Sequence, residues 1–484
     1  MKQGQTNDLG LAIQFPEDDA NGPGELEPAI CWQAIHSRDR RFDGRFFVGA
    51  VTTGIYCRPT CPVPFARPNN ISLFACAAAA ETAGFRPCNR CRPQASPGTP
   101  AWLGTSAIVS RALRLIWQGG LDNNGVEELA ERVGIGARQL RRLFVRHLGA
   151  SPVRIAATHR LHFARNLIDE TDLALTKTAL AAGFSSIRQF NHAIKGTFGQ
   201  SPTELRKQRK ETPPRSGGLV IRLPYRPPFH WESIIALLQA ESTPGVEFAQ
   251  RDFYRRSVQL DGAEGLIEVR HDESESRLVV RIELSKYECL MQIVERVRRI
   301  FDLGADPVQI AKHLSRSSVL TPSVQARPGL RVPGVWDGFE LVVRALAVKQ
   351  PMKHAARNLM GRLVQAFGTP LRRPGEGLTH LFPTPGTLAG ADLTDLGFGR
   401  SSAQAIRKVA GHVLGGRFRF DSSNSLEETI SRIRTFCDVS ESAAQYIAMR
   451  AFGEPDAFPA SDSRHANMVE KCRPWRAYAA MYLK

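Results

Sequence analysis

The sequence of 484 residues predicts a multidomain α+β protein. Three observations carry that reading. Four cysteines sit in two close pairs near the N-terminus, a long middle stretch has helical periodicity with no strand-like alternation, and alternation then begins at Leu219 and stops before Ser285. In chain order this predicts a loose polar tail over 1–25, a cysteine module over 26–95 and an all-α region over 104–210. An antiparallel β-sheet domain with helices follows over 219–285, then a helical region over 286–484. The length suffices for three or four domains, each with its own core.

Composition narrows the class. No apolar run reaches about 18 residues, so no membrane-spanning helix is expected. Met1-Lys-Gln-Gly-Gln-Thr-Asn-Asp8 lacks the apolar core of a secretory signal, which predicts a cytosolic protein. The net charge is +17, and from Arg132 to Ile168 there are eight arginines without one acid. A basic field of that kind gathers polyanions, nucleic acid first.

The first pair of cysteines is Cys57-Arg-Pro-Thr-Cys61 and the second is Cys88-Asn-Arg-Cys91. Short spacings let each pair clip one ion, and four thiolates satisfy tetrahedral zinc. Metal ligation is therefore expected at Cys57, Cys61, Cys88 and Cys91, with Zn2+ as the ion. A purely structural zinc knot and four unligated thiols are the competing readings. The other five cysteines (Cys31, Cys76, Cys289, Cys437, Cys472) are scattered.

In the helical middle, Val126–Gly136 reads as a helix and turn, and Ala137–Gly149 as the next helix. Leu140, Leu143, Phe144 and Leu148 share one face of it, leaving Arg138, Arg141, Arg142 and Arg146 on the other. Thr178–Ser186 followed by Ile187–Gly199 repeats the plan. A helical packing domain with a solvated basic face is the competing reading.

Family resemblances sharpen these expectations. Arg41-Phe-Asp-Gly-Arg-Phe-Phe-Val-Gly-Ala-Val-Thr-Thr-Gly-Ile-Tyr-Cys-Arg-Pro-Thr-Cys61 and Ala83-Gly-Phe-Arg-Pro-Cys-Asn-Arg-Cys-Arg-Pro93 resemble the N-terminal domain of the Ada family. That resemblance implies a small zinc-bound α/β domain in which Cys57 takes a methyl group from a DNA phosphotriester and Arg58 helps hold the backbone. The family's second acceptor motif, Pro-Cys-His-Arg, has no counterpart outside the zinc set, so no O6-alkylguanine activity is expected. Gly183-Phe-Ser185, Phe190-Asn191 and Phe198-Gly-Gln-Ser-Pro202 resemble the AraC-family DNA-binding domain. This implies a double helix-turn-helix on double-stranded DNA, at a promoter site, through Arg138, Arg141, Arg142 and Arg146 and through Arg188, Gln189, Asn191 and Lys195. No membrane and no obligate protein partner are expected.

Tyr225-Arg-Pro-Pro-Phe-His-Trp231, Arg331–Ala345, Gly453–Asp462 and Pro474–Ala479 are similar to AlkA-type 3-methyladenine DNA glycosylases. The resemblance implies an all-α helix-hairpin-helix core that excises alkylated purines, with Asp462 as the catalytic carboxylate and Tyr446 and Trp475 stacking on the flipped base. The chain departs from that family at its hairpin. Where relatives have Leu-Pro-Gly-Ile-Gly-Pro-Trp-Thr-Ala, this chain has Phe436-Cys-Asp-Val-Ser-Glu-Ser-Ala-Ala444. Both glycines are gone, Asp438 and Glu441 add negative charge, and Ser442 stands where bifunctional members carry a Schiff-base lysine, which argues against a β-lyase. The Leu-Gly-Gln-Gln-Val-Ser segment is replaced by Ala347-Val-Lys-Gln-Pro-Met352. Two functions follow: a repair enzyme that also regulates its own response, or a methylation-sensing activator with an impaired glycosylase domain.

Overall fold

The computed structural model describes residues 12–14, 27–64, 67–97, 107–122, 124–209, 218–347, 353–420, 425–459 and 466–483. The first sheet has five short strands in the order Ala12–Gln14, Ile71–Phe74, Phe47–Ala50, Ile55–Cys57, Arg86–Pro87. The two outer pairings are parallel and the two inner ones antiparallel. Ala12–Gln14 corrects the expectation of a loose tail, because it pairs with Ser72–Phe74. The open edge of Ile71–Phe74 offers unpaired backbone groups, and that outweighs the polar composition around a three-residue strand. The rest of 1–25 lies outside the described residues.

The middle of the chain is all-helical, as its periodicity predicts. Helix Ala107–Trp117 leads into Val126–Arg132 and Ala137–Leu148, and Leu175–Ala181 with Ile187–Phe198 forms the second unit. Helix Pro152–Glu170 joins the two units and Pro202–Lys207 closes them. Each turn depends on a glycine in the left-handed region, Gly134 at φ +77° and Gly183 at φ +76°. Ser186 caps the second unit's second helix by accepting from the Gln189 amide at 3.1 Å.

The second sheet is antiparallel throughout, in the order Leu219–Pro224, Arg277–Leu284, Ala263–Asp272, Phe253–Leu260, Glu247–Gln250. Sequence alternation exposes three of these strands and hides the last two. In Phe253–Leu260 the pattern is broken by Arg256, which is buried and ion-paired to Glu247 at 3.3 Å and Glu340 at 2.9 Å. Helix Trp231–Glu241 packs against this sheet.

The helices from Leu290 onward form the last layer, with one correction to the expected all-α core. Thr369–Gly375 and Leu378–Leu381 make a β-hairpin. It is recruited by the neighbouring sheet domain: the Ser257 hydroxyl donates to the His380 carbonyl at 2.6 Å, and the Thr379 amide to the Gly245 carbonyl at 2.8 Å.

The cores do not respect these divisions. Phe47, Tyr56 and Phe74 of the first sheet pack in one cluster with Leu113, Leu129, Leu140 and Phe144 of the first helical unit. Phe163 and Leu167 of the joining helix and Phe190 and Ile194 of the second unit share a cluster with Leu219, Ile221, Val280 and Val294. Among the described residues no helix is long and apolar enough to cross a membrane.

Candidate metal centre and candidate active site

The cysteine site follows from strand pairing. Ile55–Cys57 runs parallel to Arg86–Pro87, with Tyr56 opposite Pro87, and the Cys88 amide donates to the Tyr56 carbonyl at 3.0 Å. Cys57 and Cys88 therefore leave the sheet side by side. A tight turn follows each, closed by Cys61 N–H to Arg58 O at 3.1 Å and Arg92 N–H to Cys88 O at 3.0 Å. These turns return Cys61 and Cys91 toward the first pair, and all four sulfurs lie within 4.8 Å of one another. Tetrahedral zinc at about 2.3 Å per bond needs sulfurs about 3.8 Å apart, so the set fits the ion. The Arg58 amide donates to Cys91 Sγ at 3.4 Å. Cys61 and Cys88 are buried, and the Cys57 and Cys91 residues are half-buried.

Arg58, the expected backbone contact, is paired within the module. Its Nε donates to Asp43 Oδ1 at 2.8 Å and its Nη2 pairs with the other oxygen. Asp43 is 4% exposed, and a buried carboxylate needs a counter-charge. Burial also lowers the Arg58 guanidinium to about 10.

On the helical units, Arg138, Arg141, Arg142 and Arg146 are all exposed, and so are Arg188, Gln189, Asn191 and Lys195. Leu140, Phe144 and Leu148 are buried on the opposite face of the first of these helices. Arg141 reaches back to Glu127 at 2.7 Å, a surface pair that water and salt weaken.

In the C-terminal region the hairpin forms without its family glycines. Helix Leu426–Cys437 ends on Asp438 at φ +50°, whose amide donates to the Arg434 carbonyl at 3.2 Å. Aspartate tolerates the left-handed region better than most side chains, so it replaces the turn glycine. Ser440 caps the following helix, Glu441–Ala451, by accepting from the Ala443 amide at 3.3 Å. Glu441 occupies the first turn of that helix, where an incoming phosphate would otherwise meet bare N–H groups. The Ser442 hydroxyl donates to the Pro459 carbonyl at 2.5 Å.

Tyr446, on the same helix, is half-buried, and its hydroxyl donates to Glu241 Oε1 at 2.6 Å. Arg450 Nη1 donates to the Tyr446 oxygen at 2.6 Å and to Glu241 Oε2 at 2.9 Å. Burial raises the Tyr446 phenol, which therefore remains a donor. Trp475 is 4% exposed and stands edge-on to Tyr478 at 5.7 Å between ring centroids. It belongs to the cluster of Ile310, Leu314 and Tyr482, whereas Tyr446 packs against that of Phe339, Ile433 and Ile447. Asp462 lies outside the described residues.

Three family models match along the chain: the metal binding domain of Ada over 30–94, a helix-turn-helix domain over 129–208 and the AlkA N-terminal domain over 220–337. The Mycobacterium tuberculosis protein named "Probable bifunctional transcriptional activator/DNA repair enzyme AlkA" is 38% identical over 475 residues, covering 94% of this chain and 95% of that protein. The chain belongs to the bifunctional AlkA family. Two further relatives each match part of the chain. DNA-3-methyladenine glycosylase 2 of Escherichia coli is 28% identical over 54% of this chain and 95% of its own length. The bifunctional transcriptional activator/DNA repair enzyme Ada of Escherichia coli is 31% identical over 36% of this chain and 48% of its own.

The metal of this protein is Zn2+, held by the four-cysteine cluster of its Ada-type domain. Two of its functional side chains escape sequence reasoning. Glu81 accepts from Tyr56 Oη at 2.9 Å and Thr158 Oγ1 at 2.6 Å and pairs with His162 Nε2 at 3.0 Å, tying the zinc module to the joining helix. Nothing local marks it. Glu241 had a signal: it falls on the apolar stripe of Ile234 and Leu238 at helical spacing, where an acid must find buried partners.

Proposed function

We propose that this protein repairs alkylated DNA by two chemistries and switches on the response to that damage. The observation that carries the proposal is the full-length match to a bifunctional activator and repair enzyme, in a chain that also assembles four sulfurs within 4.8 Å. At the zinc module, the Cys57 thiolate attacks the methyl carbon of a phosphotriester. The S–C bond forms as the C–O bond breaks, and the phosphate leaves with its negative charge restored. Zinc supplies the chemistry that keeps the thiols deprotonated and nucleophilic at neutral pH. Nothing regenerates the thiol, so the transfer happens once per molecule. Methylation removes one negative charge from the module and strengthens its hold on DNA, and the helix-turn-helix units carry that gain to a promoter through Arg138, Arg141, Arg142, Arg146, Arg188, Gln189, Asn191 and Lys195.

The second chemistry is hydrolytic excision of 3-methyladenine-type purines. An N-alkylated purine already carries positive charge and leaves readily, so the enzyme has to flip the base and stabilise the developing oxocarbenium sugar. The motif supports Asp462 as the carboxylate and Tyr446 as a stacking residue; it also names Trp475, which would have to leave its buried cluster to reach a base. The partner is double-stranded DNA, and the place of action is the cytoplasm. A second reading, an activator with an impaired glycosylase, is favoured by Asp438 and Glu441 beside the hairpin's helix N-terminus.

Incubating the protein with dimethyl-sulfate-treated duplex DNA decides between them. The enzyme reading expects release of 3-methyladenine that Asp462→Asn loses, together with one methyl group on Cys57 by mass spectrometry. Methyl transfer without base release establishes the second reading. Neither product, from zinc-loaded protein, overturns both.

A further inference from the structure

We infer that Arg111 and Arg114, in the first helix of the DNA-binding part, are positioning residues for base excision. This inference rests on the glycosylase reading above. Helix Ala107–Trp117 buries Val109, Ala112, Leu113 and Ile116 in the core shared with the zinc module. Its two arginines stand three residues apart, hence on one face, and both point into the C-terminal layer. Arg111 Nε donates to Glu454 Oε1 at 3.1 Å and its Nη2 to Oε2 at 3.2 Å, a two-pronged grip on one carboxylate. Arg114 Nη1 donates to the Gly453 carbonyl at 2.7 Å and to the Phe452 carbonyl, and Nη2 reaches Glu454 Oε1 at 3.4 Å. The site is enclosed, with side-chain exposures of 11% for Arg111, 19% for Arg114 and 5% for Glu454. Gly453 sits at φ +64°, and a Cβ there would stand 2.8 Å from Arg114 Nη1, so a side chain would displace that guanidinium.

Phe452–Glu454 joins the helix that carries Tyr446 to the loop that leads, in sequence, toward Asp462. On one side is the helix Glu441–Ala451 with Tyr446 and Arg450, and the Glu454 amide returns to it by donating to the Ala448 carbonyl at 3.1 Å. On the other side runs the loop to Pro459, fixed at every step. The Pro455 carbonyl accepts from Ala477 at 2.8 Å, Asp456 pairs with Arg476 at 2.9 Å, and the Phe458 amide donates to Gln445 at 3.0 Å. Those anchors all lie within the C-terminal layer, whereas the one at Glu454 comes from the regulatory part. The Escherichia coli glycosylase matches 54% of this chain across 95% of its own length. The arginines thus tie excision to the regulatory part of the chain. A shift of about 1 Å at such a junction is enough to cost up to about a hundredfold in rate.

The test is single-turnover release of 3-methyladenine from dimethyl-sulfate-treated duplex DNA by the full-length protein, alongside DNA affinity and thermal midpoint. Arg111→Ala is expected to lower the release rate about tenfold with DNA affinity within about twofold of wild type. Arg111→Lys, which keeps the charge and loses the fork, is expected in between, and it carries the test should the alanine variant fail to fold. The swapped pair Arg111→Glu with Glu454→Arg is expected to recover part of the rate. Release by Arg111→Ala as fast as wild type, or a loss matched by an equal fall in DNA affinity, overturns the inference. Wild-type protein that releases no base overturns the glycosylase reading, and this inference with it.

Discussion

The zinc module and the C-terminal layer assemble their candidate sites in opposite ways. All four zinc ligands fall between residues 57 and 91, and one pair of parallel strands with two tight turns brings them together. The C-terminal site draws on Glu241, Tyr446 and Arg450, with its supporting loop held from Arg111, so it spans most of the chain. A site written locally survives changes elsewhere and is readable as a motif. A site assembled over long range inherits every contact between layers, and any of them can alter it.

The largest test of that contrast is metal removal. Structural zinc contributes on the order of 10 kcal/mol to a small module, so chelation is expected to unfold the first sheet. Since Phe47, Tyr56 and Phe74 share a core with Leu113, Leu140 and Phe144, the first helical unit should lose its cooperative melting as well. Calorimetry with and without chelator checks this, and a helical unit that melts unchanged would make the zinc module independent after all.

A smaller effect is expected at Glu81. Burial pushes its carboxyl up, but His162, Thr158 and Tyr56 outweigh burial and leave it below the usual carboxylate range. A depressed carboxylate stabilises the fold above its unfolded pKa of about 4.3, and that contribution is lost as pH falls through the lower folded value. Glu81→Gln is expected to cost about 1–3 kcal/mol at pH 7, with the gap to wild type closing in acid. Urea melts at pH 7 and pH 3 measure it, and a gap independent of pH would mean that the charge at Glu81 carries no weight.

The smallest effect on the fold is expected at Arg141. Its exposed pair with Glu127 is screened by water and salt, so Arg141→Ala should melt nearly as wild type. Its consequence lies in DNA binding, where the slope of log affinity against log salt should shrink by about one. An unchanged slope would remove Arg141 from the DNA-facing set.

The same contrast explains what was legible in the sequence. The zinc ligands, the exposed arginine face above Leu140 and Phe144, and the alternating strand Arg277–Leu284 each lie within one short window of sequence. The hidden features are those settled by a distant partner. Phe253–Leu260 breaks alternation because Arg256 finds Glu340 across the layer boundary. The strand pairing of Ala12–Gln14 depends on an edge some sixty residues away, and Thr369–Leu381 turns extended beside Gly245 and Ser257. The pairing of Arg58 with buried Asp43, fifteen residues upstream, is likewise unmarked in the sequence. At the hairpin, where both family glycines are gone, Asp438 adopts the left-handed conformation and Glu441 sets a carboxylate in the first turn of the next helix.

The apolar clusters that cross module borders bear on how such a protein can change over generations. A cut between the second helical unit and the strand domain would bare Phe163, Leu167, Leu219 and Ile221 together. A descendant that lost the regulatory half would begin life with a sticky, half-built remainder, and one that lost the repair half would fare no better. Sensing, switching and excision are thereby inherited as a single unit, and selection on any one of them preserves the other two.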